Sequence, residues 1–255
     1  MEIKKLNSEE NKVSFILSKS NSAFANTIRR IMMEEVPTLA IEDVHFIKND
    51  SALYDEFVAH RLGLVVLKTD LKSMELKESC SCKDKGCAKC EIKFKLDKEG
   101  PGMVYASDIK FNDKSVKAIY PKTPIVNLLK KQSLKIEGIA ILGKGKEHMK
   151  WSPGLVYYRL YPEIKIEKCD RLEEVERICP KKVYRVSNKK LIVDNLINCD
   201  LCMACTEICE DIKVEGKKDE FIFNIESWGQ IEIKEMLNKC IDVFNEKLKD
   251  FEDKL

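Results

Sequence analysis

The chain has 255 residues, of which 44% are hydrophobic and 35% are charged. This composition is typical of a folded protein with a charged surface, and its length allows one large domain or two to three small ones. The net charge of +2, with both signs interspersed, provides no basic surface for direct nucleic-acid binding. The chain begins without an apolar segment of signal-peptide type and contains no apolar run of membrane length, so we expect a cytoplasmic protein without membrane contact.

The N-terminal part of the chain alternates between strand-like and helix-like patterns. Val13, Phe15 and Leu17 lie on one face of an alternating segment, so residues 1–19 are predicted to form a strand. A helical period follows over residues 20–36, where Pro37 ends the helix. The next predicted elements are a strand at 38–47, a helix at 55–62 with Gly63 as its C-terminal cap, and a strand at 64–67.

The middle of the chain is predicted to be rich in strands. Turn-forming segments such as Gly100-Pro101-Gly102 separate short apolar runs. Strands are predicted at 91–96, 103–105, 134–142, 155–166 and 221–225. A long amphipathic helix is predicted at about 231–248.

Each of the two amphipathic helices near the ends of the chain carries an apolar stripe that must be covered. One stripe consists of Phe24, Ile28, Ile31 and Met32. The other includes Ile233, Leu237, Ile241 and Phe244, together with Met236, Cys240 and Leu248. The simplest architecture combines both termini into one domain and inserts the middle of the chain into it. A partner subunit could cover these stripes, or they could pack within this chain alone, and periodicity leaves both alternatives open.

The most specific pattern in the chain is the cysteine run C-x-x-C-x-x-C-x-x-x-C that begins at Cys199, with a Cys-Pro pair upstream at Cys179. Bacterial ferredoxins use this run and a remote Cys-Pro to hold [4Fe–4S] clusters. Three closely spaced thiolates can bind three corners of one cluster, and in two-cluster ferredoxins the fourth ligand comes from the other run. We therefore predict one [4Fe–4S] cluster with the ligands Cys179, Cys199, Cys202 and Cys205.

A second run of this kind is incomplete. If it ended at Cys179 it would require cysteines at 169, 172 and 175, and the chain has Cys169, Leu172 and Val175 at these positions. Cys169 and Cys209 are thus left over, and we predict no second cluster. The sequence leaves open whether these two cysteines pair with each other.

A second group of cysteines lies in the segment ESCSCKDKGCAKC, which has almost no apolar residue with which to build a core. A structural Zn²⁺ ion could order such a loop, because zinc binding contributes about 10–16 kcal/mol to the folding of small peptides. Closely spaced cysteines rarely meet disulfide geometry, and a reducing cytoplasm favours metal ligands over a disulfide framework. The predicted zinc ligands are Cys80, Cys82, Cys87 and Cys90.

Four long stretches resemble the α-like subunit family of RNA polymerases, which includes archaeal members and the third-largest subunit of RNA polymerase II. The stretches are SNSAFANTIRRIMMEEVPTLAIEDVHF, DEFVAHRLGLVVL, YPKTPIVNLLKKQSLKIEGIAILGKGKEHMKWSPG and FIFNIESWGQIEIKEMLNKCIDVFNEKL. The zinc loop and the ferredoxin-like insertion also resemble features of this family. The resemblance covers nearly the whole chain and identifies it as a member from an archaeon.

The resemblance implies an α+β fold with three parts. A dimerisation domain would comprise 1–48 and 217–255, a strand-rich inserted domain 49–165 with a zinc loop at 79–91, and a ferredoxin-like iron–sulfur domain 166–216. It also implies a scaffold that pairs with a small α-like partner, called L, and supports two small subunits, called N and P, and the large subunits. No D-x-D-x-D cluster is present to hold a catalytic metal, so we expect no catalytic residue in this chain.

Two other functions compete with this hypothesis. An iron–sulfur protein for electron transfer or redox sensing would usually need a neighbouring donor or acceptor, and the second ferredoxin site is lost. Sequence-specific DNA binding through the zinc loop is disfavoured by the balanced charge. We therefore expect a non-catalytic assembly subunit of a DNA-dependent RNA polymerase.

Overall fold

The computed structural model describes residues 1–83 and 85–255, and Asp84, inside the zinc loop predicted at 79–91, lies outside the described residues. The described chain contains five α-helices and twelve β-strands, which confirms the predicted α+β class. The helices are α1 Ser22–Glu34, α2 Asp55–Gly63, α3 Leu172–Ile178, α4 Ala204–Ile208 and α5 Ile233–Glu252. The strands are β1 Glu2–Ser8, β2 Lys12–Ser18, β3 Thr38–Asn49, β4 Glu91–Glu99, β5 Gly102–Tyr105, β6 Lys110–Phe111, β7 Pro124–Leu128, β8 Ser133–Gly143, β9 Gly154–Ile166, β10 Tyr184–Ser187, β11 Lys190–Val193 and β12 Ile212–Ser227.

The chain forms two compact units. The first unit comprises Met1–Glu9, Val13–Thr27 and Tyr157–Asn224, and the second comprises Glu10–Lys12, Ile28–Val156 and Ile225–Leu255. Helix α1 and strands β9 and β12 each contribute residues to both units. The predicted division into dimerisation, inserted and iron–sulfur domains stays a prediction, because a dimerisation domain is defined by its role in pairing rather than by compactness.

The second unit is built around an antiparallel sheet with the order β3-β8-β4-β6. Strand β4 alternates between buried and exposed residues, so that Ile92, Phe94 and Leu96 enter the core while the intervening lysines and Asp97 face solvent. Helix α2 contributes the fully buried Val58 and Leu62 to this core. The core therefore forms between one face of the sheet and the elements packed on it.

A glycine in the central strand β8 allows the sheet to pack closely. Gly138 pairs with Val44 of β3 and with Phe94 of β4. A Cβ atom at this position would lie 2.2 Å from the carbonyl oxygen of Asp43 and 2.7 Å from the ring of Phe94. The aromatic ring thus fills the space that a side chain at residue 138 would occupy.

The first unit contains a second sheet with the order β1-β2-β12-β9, in which β1 and β2 are antiparallel. Aromatic side chains pack across it, since the rings of Phe15 and Tyr158 both stack on Phe223 with centroids 5.3 Å away. The cysteine-rich part of this unit consists of α3, the β10–β11 hairpin and α4 around a small core that includes Val175, Val183 and Ile212. These short elements carry the predicted iron site.

Four of the local predictions were wrong or incomplete. Residues 1–19 form a hairpin of β1 and β2 rather than one strand. Gly63 is the last residue of α2, and Leu64 is the cap, with a φ of −89° that does not require glycine. Residues 64–67 form no strand, because only Leu67 makes a bridge, to Ala118, while Val65 and Leu67 are buried as a loop. The pattern also missed the short elements β6, β7, α3, β10, β11 and α4.

The remaining predicted strands and the helix predicted at 55–62 lie within observed elements. The helix predicted at 20–36 is shorter, at Ser22–Glu34, and the C-terminal helix predicted at about 231–248 runs from Ile233 to Glu252. None of the described helices combines the length and the apolar character needed to cross a membrane.

Candidate metal centres and pairing surface

The four cysteines predicted as zinc ligands converge in the second unit. The sulfur atoms of Cys80, Cys82, Cys87 and Cys90 all lie within 4.8 Å of one another. Three of the Sγ–Sγ distances are 3.5 Å for Cys80–Cys87, 3.6 Å for Cys82–Cys90 and 3.8 Å for Cys87–Cys90. Such a group of thiols can hold a metal ion.

Two tight turns bring these thiols together. The N–H of Lys83 donates to the carbonyl of Cys80, and the N–H of Cys90 donates to the carbonyl of Cys87. Between the turns, Gly86 has a φ of +77°, and a Cβ there would lie 2.3 Å from the carboxylate of Glu91. The positive φ favours glycine here, whereas the carboxylate is the end of a flexible side chain and could move aside.

The thiols differ in pKa because they differ in burial and in their hydrogen bonds with the backbone. The backbone N–H of Lys89 donates to Cys87 and lowers the pKa of its thiol to about 7. Burial raises the pKa of Cys90 to about 12. Because a metal ligand must be a thiolate, metal binding here would release protons.

The four cysteines predicted as cluster ligands line one recess in the first unit. Cys179, Cys199, Cys202 and Cys205 share this recess with Val183, Tyr184 and Met203, among others. Cys199 and Cys205 are buried, Cys179 is half-buried and Cys202 is exposed. Their spacing along the chain therefore corresponds to a real convergence in space.

The loop that carries three of these cysteines has an unusual backbone. Leu201, with a φ of +61°, and Met203, with a φ of +64°, are both in the left-handed region. Such a conformation costs roughly 1–3 kcal/mol for a residue other than glycine and is concentrated at functional sites. Left-handed residues are also found in anion-binding nests of successive N–H groups, which occur at many iron–sulfur sites.

Neighbouring groups donate hydrogen bonds around this recess. The hydroxyl of Tyr184 donates to the sulfur of Cys205 at 3.1 Å, and the N–H of Val183 donates to the sulfur of Cys179 at 3.4 Å. The guanidinium of Arg159 donates to the carbonyls of Ile197 and Cys199, which holds the start of the loop. Burial, followed by the bond with Cys205, raises the pKa of Tyr184 above its ordinary value.

The two left-over cysteines also meet. The thiols of Cys169 and Cys209 are neighbours, and burial followed by the effect of the Cys169 thiol raises the pKa of Cys209 to about 11. Val175 is fully buried and Leu172 packs against the same core, so apolar side chains replace the two missing cysteines. Every cysteine lies in the described residues, and none of them forms a disulfide.

The predicted interface residues differ in how far the chain itself covers them. Ile31, Met32 and Ile233 are buried, and Ile241 is 52% exposed. Phe24, Ile28, Leu237 and Phe244 are half-buried. The role of these eight residues in pairing stays a prediction.

Helix α5 has two apolar faces. The inner face, formed by Ile233, Met236, Cys240 and Val243, is buried. The outer stripe, which we define as Leu237, Ile241, Phe244, Leu248 and Phe251, is half-buried to exposed. The five positions of the outer stripe are spaced four and three residues apart, which is the repeat of a helix seam that packs on another helix.

Sequence reasoning missed three residues of these sites. Tyr184 and Arg159 lie far along the chain from the cysteines that they contact, and no local pattern connects them. Val243 was also missed, although it follows Met236 by seven residues and its position was available from the helical period.

Residues 41–154 match the family described as the RNA polymerase Rpb3/RpoA insert domain. This match, together with the mixed fold and the four-thiol loop within the matched range, defines the class of the protein as an α-like polymerase subunit.

Relatives of nearly the same length are more specific. The chain is 38% identical to DNA-directed RNA polymerase subunit Rpo3 of Methanosphaera stadtmanae over 94% of this chain and 93% of the relative. It is 38% identical to the Rpo3 subunit of Methanosarcina mazei, over 97% and 95%, and 34% identical to that of Archaeoglobus fulgidus, over 96% and 94%. The chain belongs to the Rpo3 family of archaeal DNA-directed RNA polymerase subunits.

Proposed function

We propose that this Rpo3-family chain is the non-catalytic scaffold on which an archaeal RNA polymerase assembles. It pairs with the small α-like partner L, and the heterodimer then supports the small subunits called N and P and the large subunits. The pairing domain comprises 1–48 and 217–255, the inserted domain 49–165 and the iron–sulfur domain 166–216. The insert-domain match at 41–154 supports the second of these. The comparisons lend no support to an electron-transfer protein.

The outer stripe of α5 is the observation that carries the pairing proposal. Ile241, Leu248 and Phe251 are 52%, 51% and 64% exposed on one helix face. Exposed apolar side chains in a continuous row are typical of a protein–protein interface, because burying them removes apolar surface from water. A helix of a partner subunit with the same repeat could pack along this row.

Helix α5 is fixed on the chain in an orientation that presents this row. The thiol of Cys240 donates to the carbonyl of Ile28 at 3.7 Å, and the ammonium of Lys247 bonds the carboxylate of Glu35 at 3.0 Å. The inner face is thereby held against the C-terminal part of α1. The outer stripe therefore needs no rearrangement of this chain before a partner binds.

The thiols of Cys80, Cys82, Cys87 and Cys90 hold one Zn²⁺ ion, which orders the loop. A Zn–S bond of about 2.3 Å puts the sulfurs of a tetrahedral site roughly 3.8 Å apart. The three Sγ–Sγ separations of 3.5–3.8 Å given above agree with this value, and four thiolates are a common structural zinc site.

Cys179, Cys199, Cys202 and Cys205 hold one [4Fe–4S] cluster in the first unit. The shared recess, the left-handed residues of the loop and the hydrogen bonds to Cys179 and Cys205 support this assignment. The apolar Leu172 and Val175 leave no second site with four thiolates. The cluster stabilises the small cysteine-rich part of the first unit.

Charge placed on the outer stripe tests the pairing. Coexpressed with the small α-like partner, the unaltered chain should elute from a sizing column as a heterodimer. Ile241→Glu should abolish this peak, since a carboxylate buried without a partner costs roughly 3–5 kcal/mol. Ile241 is exposed in the chain itself, so the variant should remain folded.

Asn238→Glu is the matched control, because Asn238 is exposed on α5 outside both apolar faces. It should retain the heterodimer. If Ile241→Glu and Asn238→Glu pair equally well with the small partner, the outer stripe is not the interface and the pairing proposal is wrong.

A further inference from the structure

The hydroxyl of Tyr184 lies beside one of the proposed cluster ligands. Tyr184 begins β10 and is 4% exposed, and its hydroxyl is 3.1 Å from the sulfur of Cys205. Cys205 is 7% exposed in α4, so water competes little for this contact. Within the described residues, Tyr184 is the one tyrosine that lines the recess of the four cysteines.

The chemistry of a ligating cysteine sets the direction of this hydrogen bond. A cysteine that binds iron is a thiolate and has no proton to donate, so the tyrosine must be the donor. A hydrogen bond to a charged acceptor is about twice as strong as one between neutral groups. A buried hydroxyl is also costly to leave unsatisfied, so the contact with Cys205 fixes the ring in place.

We propose that Tyr184 is a positioning residue that holds Cys205 as a ligand and raises the reduction potential of the proposed [4Fe–4S] cluster. Adding one electron increases the negative charge on the cluster and on its thiolates. A donor aimed at a thiolate stabilises this charge more in the reduced state than in the oxidised state. This inference rests on the proposed cluster and goes beyond the assembly role.

The experiment compares Tyr184→Phe with the unaltered full chain, both prepared without oxygen and loaded with iron and sulfide. Iron content and visible absorption show whether each chain holds a cluster. An optical titration with dithionite, which supplies the electron, then gives the midpoint potential. The potential of Tyr184→Phe should shift to a more negative value, with about the same iron content as the unaltered chain.

Tyr157→Phe is the matched control. Tyr157 is 49% exposed in the same unit and does not line the recess, so its loss should leave the potential unchanged. An unaltered chain that binds no iron would overturn the proposed cluster itself. A loaded Tyr184→Phe chain with an unchanged potential would overturn only the role of Tyr184.

If Tyr184→Phe binds iron poorly, a second measurement decides. The unaltered sequence is produced with 3-fluorotyrosine in place of tyrosine, which keeps the ring and makes its hydroxyl a stronger donor. The midpoint potential should then be less negative than that of the same chain with unlabelled tyrosine. An equal potential in both preparations would overturn the proposal.

Discussion

Cys179 and Cys209 have similar positions in the sequence pattern but different surroundings in the structure. Each is the last cysteine of a ferredoxin-type run. Cys179 lines the recess with Cys199, Cys202 and Cys205, and the N–H of Val183 bonds its sulfur. Cys209 instead contacts Cys169 and donates to the carbonyl of Lys168 at 3.2 Å. The two thiols should therefore differ in their importance for iron binding.

Serine substitutions at these two positions test this difference. Cys179→Ser should remove most of the iron and the visible absorption, because a neutral hydroxyl is a poor replacement for a thiolate ligand. Cys209→Ser should keep about four irons per chain. Iron analysis and absorption spectra of the two variants, prepared without oxygen, give the result.

The opposite ranking would contradict the ligand assignment. A cluster that survives Cys179→Ser but is lost in Cys209→Ser would mean that the fourth ligand is Cys209 and not Cys179. Eight irons per unaltered chain would mean that Cys169 and Cys209 support a second cluster.

At the scale of single elements, two glycines differ in whether their surroundings leave space for a side chain. Gly138 is in β8, where a Cβ would overlap the backbone of Asp43 and the ring of Phe94. Gly63 ends α2, where the nearest atoms would lie 3.6 and 3.8 Å from a Cβ, which is ordinary contact. The sheet therefore requires its glycine, and the helix does not.

Alanine should lower the free energy of unfolding at residue 138 but not at residue 63. Gly138→Ala should destabilise the protein by about 1–3 kcal/mol, because β3 and the ring of Phe94 must both move away from the added methyl group. Gly63→Ala should be neutral or stabilise it by up to about 1 kcal/mol, because alanine restricts the unfolded chain. Urea unfolding of both variants measures the difference. A stability of Gly138→Ala equal to that of the unaltered chain would show that the sheet can relax around the added methyl group.

At the scale of the whole molecule, the two proposed metal sites belong to different compact units. Cys80, Cys82, Cys87 and Cys90 are in the second unit, and Cys179, Cys199, Cys202 and Cys205 are in the first. The first set lies in a loop, and the second lies around a small core of its own. Proteins can lose order in one such segment while the rest stays folded.

Cys87→Ser and Cys199→Ser should therefore have separate effects. Cys87→Ser should release zinc and make residues 79–91 sensitive to protease, with the iron–sulfur absorption unchanged. Cys199→Ser should lose iron and retain one zinc. Elemental analysis and limited proteolysis of both variants measure these outcomes, and loss of both metals from either variant would show that the sites depend on each other.

The sequence by itself determined the features that depend on spacing along the chain. The zinc-loop cysteines, the run that begins at Cys199 and the long helical stripe could be predicted because their members are close in sequence and the helical period is local. Cys179 lies twenty residues upstream, and the known ferredoxin pattern connected it to that run. Family resemblance added the class of protein. Short elements such as α3, β10 and β11 were missed because they are too short to show a period.

The tertiary structure decided which of these residues contact one another across the chain. It separated the buried inner face of α5 from its outer stripe, which periodicity had combined into one. It also brought the hydroxyl of Tyr184 to Cys205 and the thiol of Cys169 to Cys209. Such contacts depend on how distant segments pack, and no local pattern in the sequence encodes the distance between two side chains that meet only after folding.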